Sequence, residues 1–241
     1  MALTKWNQKL TPLDNEIQQL KTELISMWEM VLSQLRKAEE SLSKKDKDLA
    51  REVILTEKRV NGFELKIDSD CEDILALFSP VAIDLRFILA VLKINMNLER
   101  TGDIAEGIAK FVINLPEDFD VHLLEITRVI EMFKQGNEML AEVMVAFEKE
   151  DTLLARKVFK KDDLLDDINK NSSTIIAEYI GKNPTKIESA LYILSSIRKL
   201  ERVGDQAKNM AEEIIFYSEA KVLKHKSNEK KSNIEEPNSE K

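Results

Sequence analysis

Four carboxylates stand out by type and spacing: Glu99 with Asp103, and Glu201 with Asp205, each pair four residues apart. On a helix, that spacing places both members of a pair on one face. Each pair also extends an apolar stripe. Leu85, Ile88, Leu92 and Met96 lead by steps of three and four to Glu99 and Asp103, and Ala190, Leu194 and Ile197 lead to Glu201 and Asp205. Both pairs are therefore expected on or near a face that packs against neighbouring helices, where a charge is costly unless it is paired or bound to a cation. Partners lie upstream. Glu57, Asn61, Glu64 and Asp68 share one helical face, and a shift of 105 residues lays Glu57 and Asn61 over Asp162 and Asp166. If each of these helices packs antiparallel on the next, each half of the chain gathers about four oxygen-bearing side chains, a composition suited to Mg, Mn, Ca or, with water and oxo ligands, iron. The competing reading is structural: Arg100 and Arg202 adjoin the glutamates and could neutralise them as surface pairs.

The elements that would hold these groups follow from a duplication. Asn97 to Val112 (NLERTGDIAEGIAKFV) overlays Lys199 to Ile214 (KLERVGDQAKNMAEEI) at an offset of 102 residues, and Asp46 to Val53 (DKDLAREV) overlays Asp151 to Val158 (DTLLARKV) at 105. Two matches in the same order mark whole repeated units. Breakers at Lys44-Lys45-Asp46, Ser79-Pro80, Asn114-Leu115-Pro116, Glu150-Asp151 and Gly181 to Pro184 divide the chain into six stretches. At about 30 residues each, these would make helices of about 45 Å. The spacing predicts an all-α protein of two tandem three-helix bundles, with six long antiparallel helices. The expected units are residues 1–115 and 116–218, followed by a disordered polar tail at 219–241. Gly102 and Gly204 fall at equivalent places inside the repeated motif, where a missing side chain would let a neighbouring helix approach closely or leave room for bound ions and water.

Composition narrows the function. With 33% charged residues and only 6 Gly and 5 Pro, turn-rich β architectures are disfavoured. A net charge of −8 repels phosphate backbones, which argues against a nucleic-acid partner. The single cysteine, Cys71, reads as a core residue of a reducing compartment. No stretch has signal-peptide or membrane-spanning character, so a soluble cytoplasmic protein is expected. Serine and cysteine nucleophile motifs and Gly-rich phosphate loops are absent, and His122 and His225 are not spaced for a metal centre, so no enzyme is expected. A di-iron oxidase would need Glu-x-x-His motifs, which are lacking. A metal-free helical scaffold is the remaining alternative.

The duplicated Leu-Glu-Arg-x-Gly-Asp-x-Ala at Leu98 to Ala105 and Leu200 to Ala207 resembles the twin signature of the PhoU family, and Val53 to Cys71 and Asp84 to Arg86 are similar to the rest of its first repeat. The likeness runs from about Leu10 to Tyr217. It departs from the usual pattern at Glu57, where an aspartate is common, and at Thr101, where an apolar β-branched residue is usual. The resemblance implies metal clusters, most simply iron with Mn, Mg or Zn as alternatives, on Glu99, Asp103, Glu201 and Asp205. Glu57, Asn61, Asp162 and Asp166 would support them. It further implies a non-catalytic negative regulator of phosphate uptake and of the phosphate-starvation response. Its expected partners are the ATPase subunit of a phosphate ABC transporter and a sensor histidine kinase, with membrane contact only through them. A homodimer is expected.

Overall fold

The computed structural model describes residues 11–115 and 119–221; residues 222–241 of the expected polar tail, with His225, the start of the family likeness at Leu10 and the breaker Pro116 lie outside them, whereas Glu219, expected to open the tail, is the last residue of the final helix. Among the described residues the fold is all-α. Three long helices come first: α1 (Pro12–Lys44), α2 (Lys47–Phe78) and α3 (Ala82–Asn114). Local chemistry sets their ends. Thr11 and Asp14 form a capping box with Pro12 in the first turn of α1, and Asp46 caps α2 by accepting from the amides of Asp48 and Leu49. Lys45 and Ser79 stop the two helices in the left-handed conformation.

The second unit does not keep three unbroken helices. Its first stretch is split into α4 (Val121–Thr127) and α5 (Val129–Lys149) at Arg128, whose φ of 54° is held by a forked ion pair to Glu131 (2.7 and 2.8 Å). The next is split into α6 (Thr152–Val158) and α7 (Asp163–Lys182). Groups of α5 hold that second break: Gln135 donates to the Lys161 carbonyl at 3.0 Å, and Glu138 and Glu142 grip the Lys161 ammonium. Its effect is to set Asp162 at the start of α7. A short 3-10 turn (Pro184–Lys186) leads into α8 (Ile187–Glu219).

Helices α1, α2 and α3 pack on one another, and α5, α6, α7 and α8 do likewise; α3 against α8 and α1 against α5 join the two bundles. One aromatic cluster crosses that seam. Trp28 is fully buried, donates its indole N–H to the Leu140 carbonyl at 3.2 Å, and lies 6.1 Å from Phe147, which stacks on Phe87 at 5.9 Å; Tyr217 meets Phe87 edge-on at 5.4 Å. Cys71 is a buried core thiol as expected.

The phase of α3 differs from the sequence expectation. Its buried line is Ile88, Val91, Ile94, Leu98, Thr101, Ala105, Ile108 and Val112, whereas Leu85 and Met96 are exposed by 36% and 41%. Packing on α1, α2 and α8 at once gives α3 a wide buried arc; of the apolar residues chosen from the sequence, Ile88 lies inside it, Leu92 at its edge, and Leu85 and Met96 on its rim. The carboxylates that extend this rim come out accordingly: Glu99 is half-buried and Asp103 is exposed, instead of lying on the packed face.

Candidate metal centre

The deepest acidic group in the first bundle is Glu57. Only 3% exposed, it lies between α1 and α3, where Gln34 of α1 donates to its Oε2 at 2.7 Å. Gly102 makes the room: a Cβ at that position would sit 2.6 Å from Glu57 Oε2 and 3.2 Å from Gln34 Oε1. The missing side chain is thus filled by a carboxylate. Glu57 Oε1 and Gln34 Oε1 are buried without a hydrogen-bond partner. Burial pushes the Glu57 carboxyl up to about 7; the Gln34 hydrogen bond opposes this, and the charges of Asp103, Glu106 and Glu99 add to it.

Half-buried Glu99 neighbours it, and half-buried Glu64 and Asp68 continue the acidic line further along α2, with Glu64 next to Glu99. Burial raises the Glu99 pKa, as do Asp103 and Glu64, while Arg100 opposes; burial raises Glu64 too, with Asp68 adding to the effect. Asn95 positions Asp68, donating at 2.9 Å to its Oδ1 and at 2.9 Å to the Glu64 carbonyl. Neither Arg100 nor any other described cation comes within 4 Å of Glu57, Glu64, Glu99 or Asp103. Asn61 is exposed and forms no hydrogen bond among the described residues.

The second bundle repeats the geometry with one reversal. Asp162, 4% exposed, lies against Gly204, where a Cβ would collide with its Oδ1 and fall 2.6 Å from Leu165 Cδ1. Here an ammonium enters: Lys208 donates to Asp162 Oδ2 and pairs with Asp205 at 2.8 Å. Burial alone would lower the Lys208 pKa, but its hydrogen bonds to Asp162 and Asp205 outweigh that and hold it above the ordinary range. Asp162 is raised by burial in spite of Lys208. Glu201 is raised by burial and by the charges of Asp205, Asp166 and Asp162. Asp166 itself is exposed.

The structure therefore gathers Glu57 with Glu99 and Asp103, and Asp162 with Glu201, Asp205 and Asp166, and it leaves Asn61 at the edge. Gln34 and Lys208 were not anticipated. Gln34 interrupts the buried line of α1 at a core position, and Lys208 falls on Glu106 at the 102-residue offset, a charge reversal inside the duplicated motif. Among the described residues, no three Asp, Glu, His or Cys side chains converge on one point for an ion. The first cluster still fits a hard cation in its chemistry, with orphaned buried oxygens and no ammonium. The second does not, because Lys208 occupies it.

Comparison with known proteins agrees with this geometry. The PhoU domain model matches residues 24–112 and again 129–214, so each match contains one Gly–carboxylate contact. A phosphate-specific transport system accessory protein PhoU homolog of Aquifex aeolicus is 34% identical over 214 residues, covering 88% of this chain and 96% of its own. Homolog 1 of Thermotoga maritima is 31% identical, with coverages of 88% and 90%. The crystal structure of PhoU from Pseudomonas aeruginosa superposes with a TM-score of 0.81 at 30% identity, covering 86% of this chain and 99% of that one. With both halves matched and relatives aligned over nearly their whole length, this chain belongs to the PhoU family.

Proposed function

We propose that this protein is a non-catalytic negative regulator of phosphate uptake, working by contact with the ATPase subunit of a phosphate transporter and with a sensor histidine kinase. The observation that carries the reading is the double family match to proteins named as accessory proteins of phosphate-specific transport. None of the described helices is long and apolar enough to cross a membrane, so partners would bring the chain to the inner membrane surface. Long exposed helical faces, with Leu65, Leu77, Val81 and Leu89 in the first bundle, offer protein-sized contact surfaces for those partners or for a second copy. Deletion of the gene should derepress alkaline phosphatase in phosphate-rich medium, and the tagged protein should co-purify with the transporter or the kinase. Normal repression in a strain without a paralogue would overturn the reading.

Metal enters this proposal at the first cluster. Glu57, Glu99 and Asp103 would hold a divalent or trivalent cation such as iron, manganese, magnesium or zinc, drawn together by side-chain rotation, while Glu64 and Asp68 lie about two to three turns further along α2, beyond reach of the same ion. Such an ion would neutralise the cluster and tie α2 to α3. Elemental analysis of protein purified without chelator should find an ion that is lost in Glu57→Gln/Asp103→Asn. A protein that stays metal-free after reconstitution with each of these ions is a metal-free scaffold at this site.

A further inference from the structure

We propose that the groove between α3 and α8 is a binding site for a tetrahedral oxyanion of the phosphate type. A cavity of about 310 Å³ opens there, lined by Arg100, Lys110, Lys199 and Arg202 against Asp103 and Glu106. Four cations against two carboxylates is a local excess of positive charge in a chain whose net charge is −8. The carboxylates do not use it up. Lys110 is paired with Glu106 at 2.6 Å, but Arg100, Arg202 and Lys199 form no ion pair within 4 Å among the described residues.

The duplication explains why they meet. Arg100 and Arg202 occupy the same position in the two copies of the motif, and the packing of α3 on α8 turns both into one cavity at the seam of the bundles. Lys199 enters over Gly107, where a Cβ would fall 2.8 Å from its Nζ and 3.2 Å from its Cε; the absence of a side chain there admits the ammonium. Two guanidinium groups and a lysine that line one cavity and form no ion pair within 4 Å among the described residues keep their donors available for an anion, which would relieve their mutual repulsion. Forked donors match two oxygens of a tetrahedral anion. The geometry stands by itself; the choice of phosphate among oxyanions rests on the function proposed above.

Titration calorimetry of the full chain with inorganic phosphate, at ionic strength matched by chloride, tests the site. Saturable binding is expected, weakening as salt rises. It should fall about tenfold or more in Arg100→Gln/Arg202→Gln, since each lost charged hydrogen bond is a large share of so small a ligand's affinity. These arginines are exposed, so helical content should be unchanged; Lys199→Gln gives a second, independent loss. Lys37→Gln, a cation on α1 outside the groove, should leave binding intact. A parallel titration with adenosine monophosphate separates the sources. Tighter binding of the nucleotide, lost in the same variants, assigns the groove to the phosphate of a larger ligand, whereas phosphate binding alone assigns it to the free ion. No saturable binding of either, or binding untouched by the arginine variants, overturns the proposal. Because the measurement uses purified protein, its failure leaves the partner reading standing, and failure of the deletion phenotype leaves the groove standing.

Discussion

The two bundles place a buried carboxylate against a glycine in the same way, yet they neutralise it differently. Around Asp162 the charge is met from within the chain, by the Lys208 ammonium that also reaches Asp205. Around Glu57 the corresponding position on α3 is Glu106, so no ammonium enters; Gln34 donates one neutral hydrogen bond, and a proton or an external cation must do what the charge of Lys208 does in the other half. One duplicated scaffold thus carries a self-sufficient copy beside a copy whose charge state depends on solution conditions. Burial makes the difference matter, since an unpaired charge in a low-dielectric site costs far more than one at the surface.

The largest effect should come from removing the tethered cation. Lys208→Met strands Asp162 beside Asp205 and Glu201, and should cost about 2–4 kcal/mol by urea denaturation at pH 7. A loss below about 1 kcal/mol would mean that solvent already screens the pair.

Next comes the pH response of the first cluster. The Glu57 pKa lies near 7 in the folded protein against an ordinary 4.5, so the folded state binds more protons between these values. Its contribution is full below about pH 4.5 and is lost as pH rises toward 7, by up to about 3 kcal/mol. In chelator-treated protein, Glu57→Gln should flatten that slope. An unchanged slope would assign it to other groups, Asp162 among them.

A transplant sharpens the contrast further. If a divalent ion stabilises the wild type by about 2.7 kcal/mol at a hundredfold excess over its dissociation constant, Glu106→Lys should abolish most of that gain by supplying its own cation. Should the ion stabilise both proteins equally, the ion binds elsewhere.

The smallest effect separates the two glycines. Gly204→Ala drives a methyl into the Leu165 side chain as well as Asp162 and should cost about 1–3 kcal/mol. Gly102→Ala meets only the ends of Glu57 and Gln34, which can swing aside, and its penalty should be smaller. Equal losses would show that the two pockets are equally rigid.

Much was legible in the chain. The duplication was visible at two fixed offsets, the long helices at their breakers and caps, and the glycines as places of close approach, because all of these are local or periodic properties. Two breaks escaped: the kink at Arg128, which carries no Gly or Pro to announce it and is accompanied by the fork to Glu131, and the turn before Asp162, which is held by α5 groups 19 to 26 residues upstream of Lys161, at Gln135, Glu138 and Glu142, contacts that exist only once the helices pack.

By itself, then, the sequence determined the repeat and the helical class and put Glu99 with Asp103, and Glu201 with Asp205, on one helix face each, since spacing on a helix is enough to place residues on a face. Only the tertiary structure decided how deep each face lies. Three neighbours bury so wide an arc of α3 that the phase of its stripe cannot be read from periodicity, and Asp103 therefore turns out to water while Gly102 turns in. The same packing brings Lys208 onto Asp162, and Arg100 to Arg202 across 102 residues of chain, contacts that no local pattern specifies because they depend on which helices lie side by side.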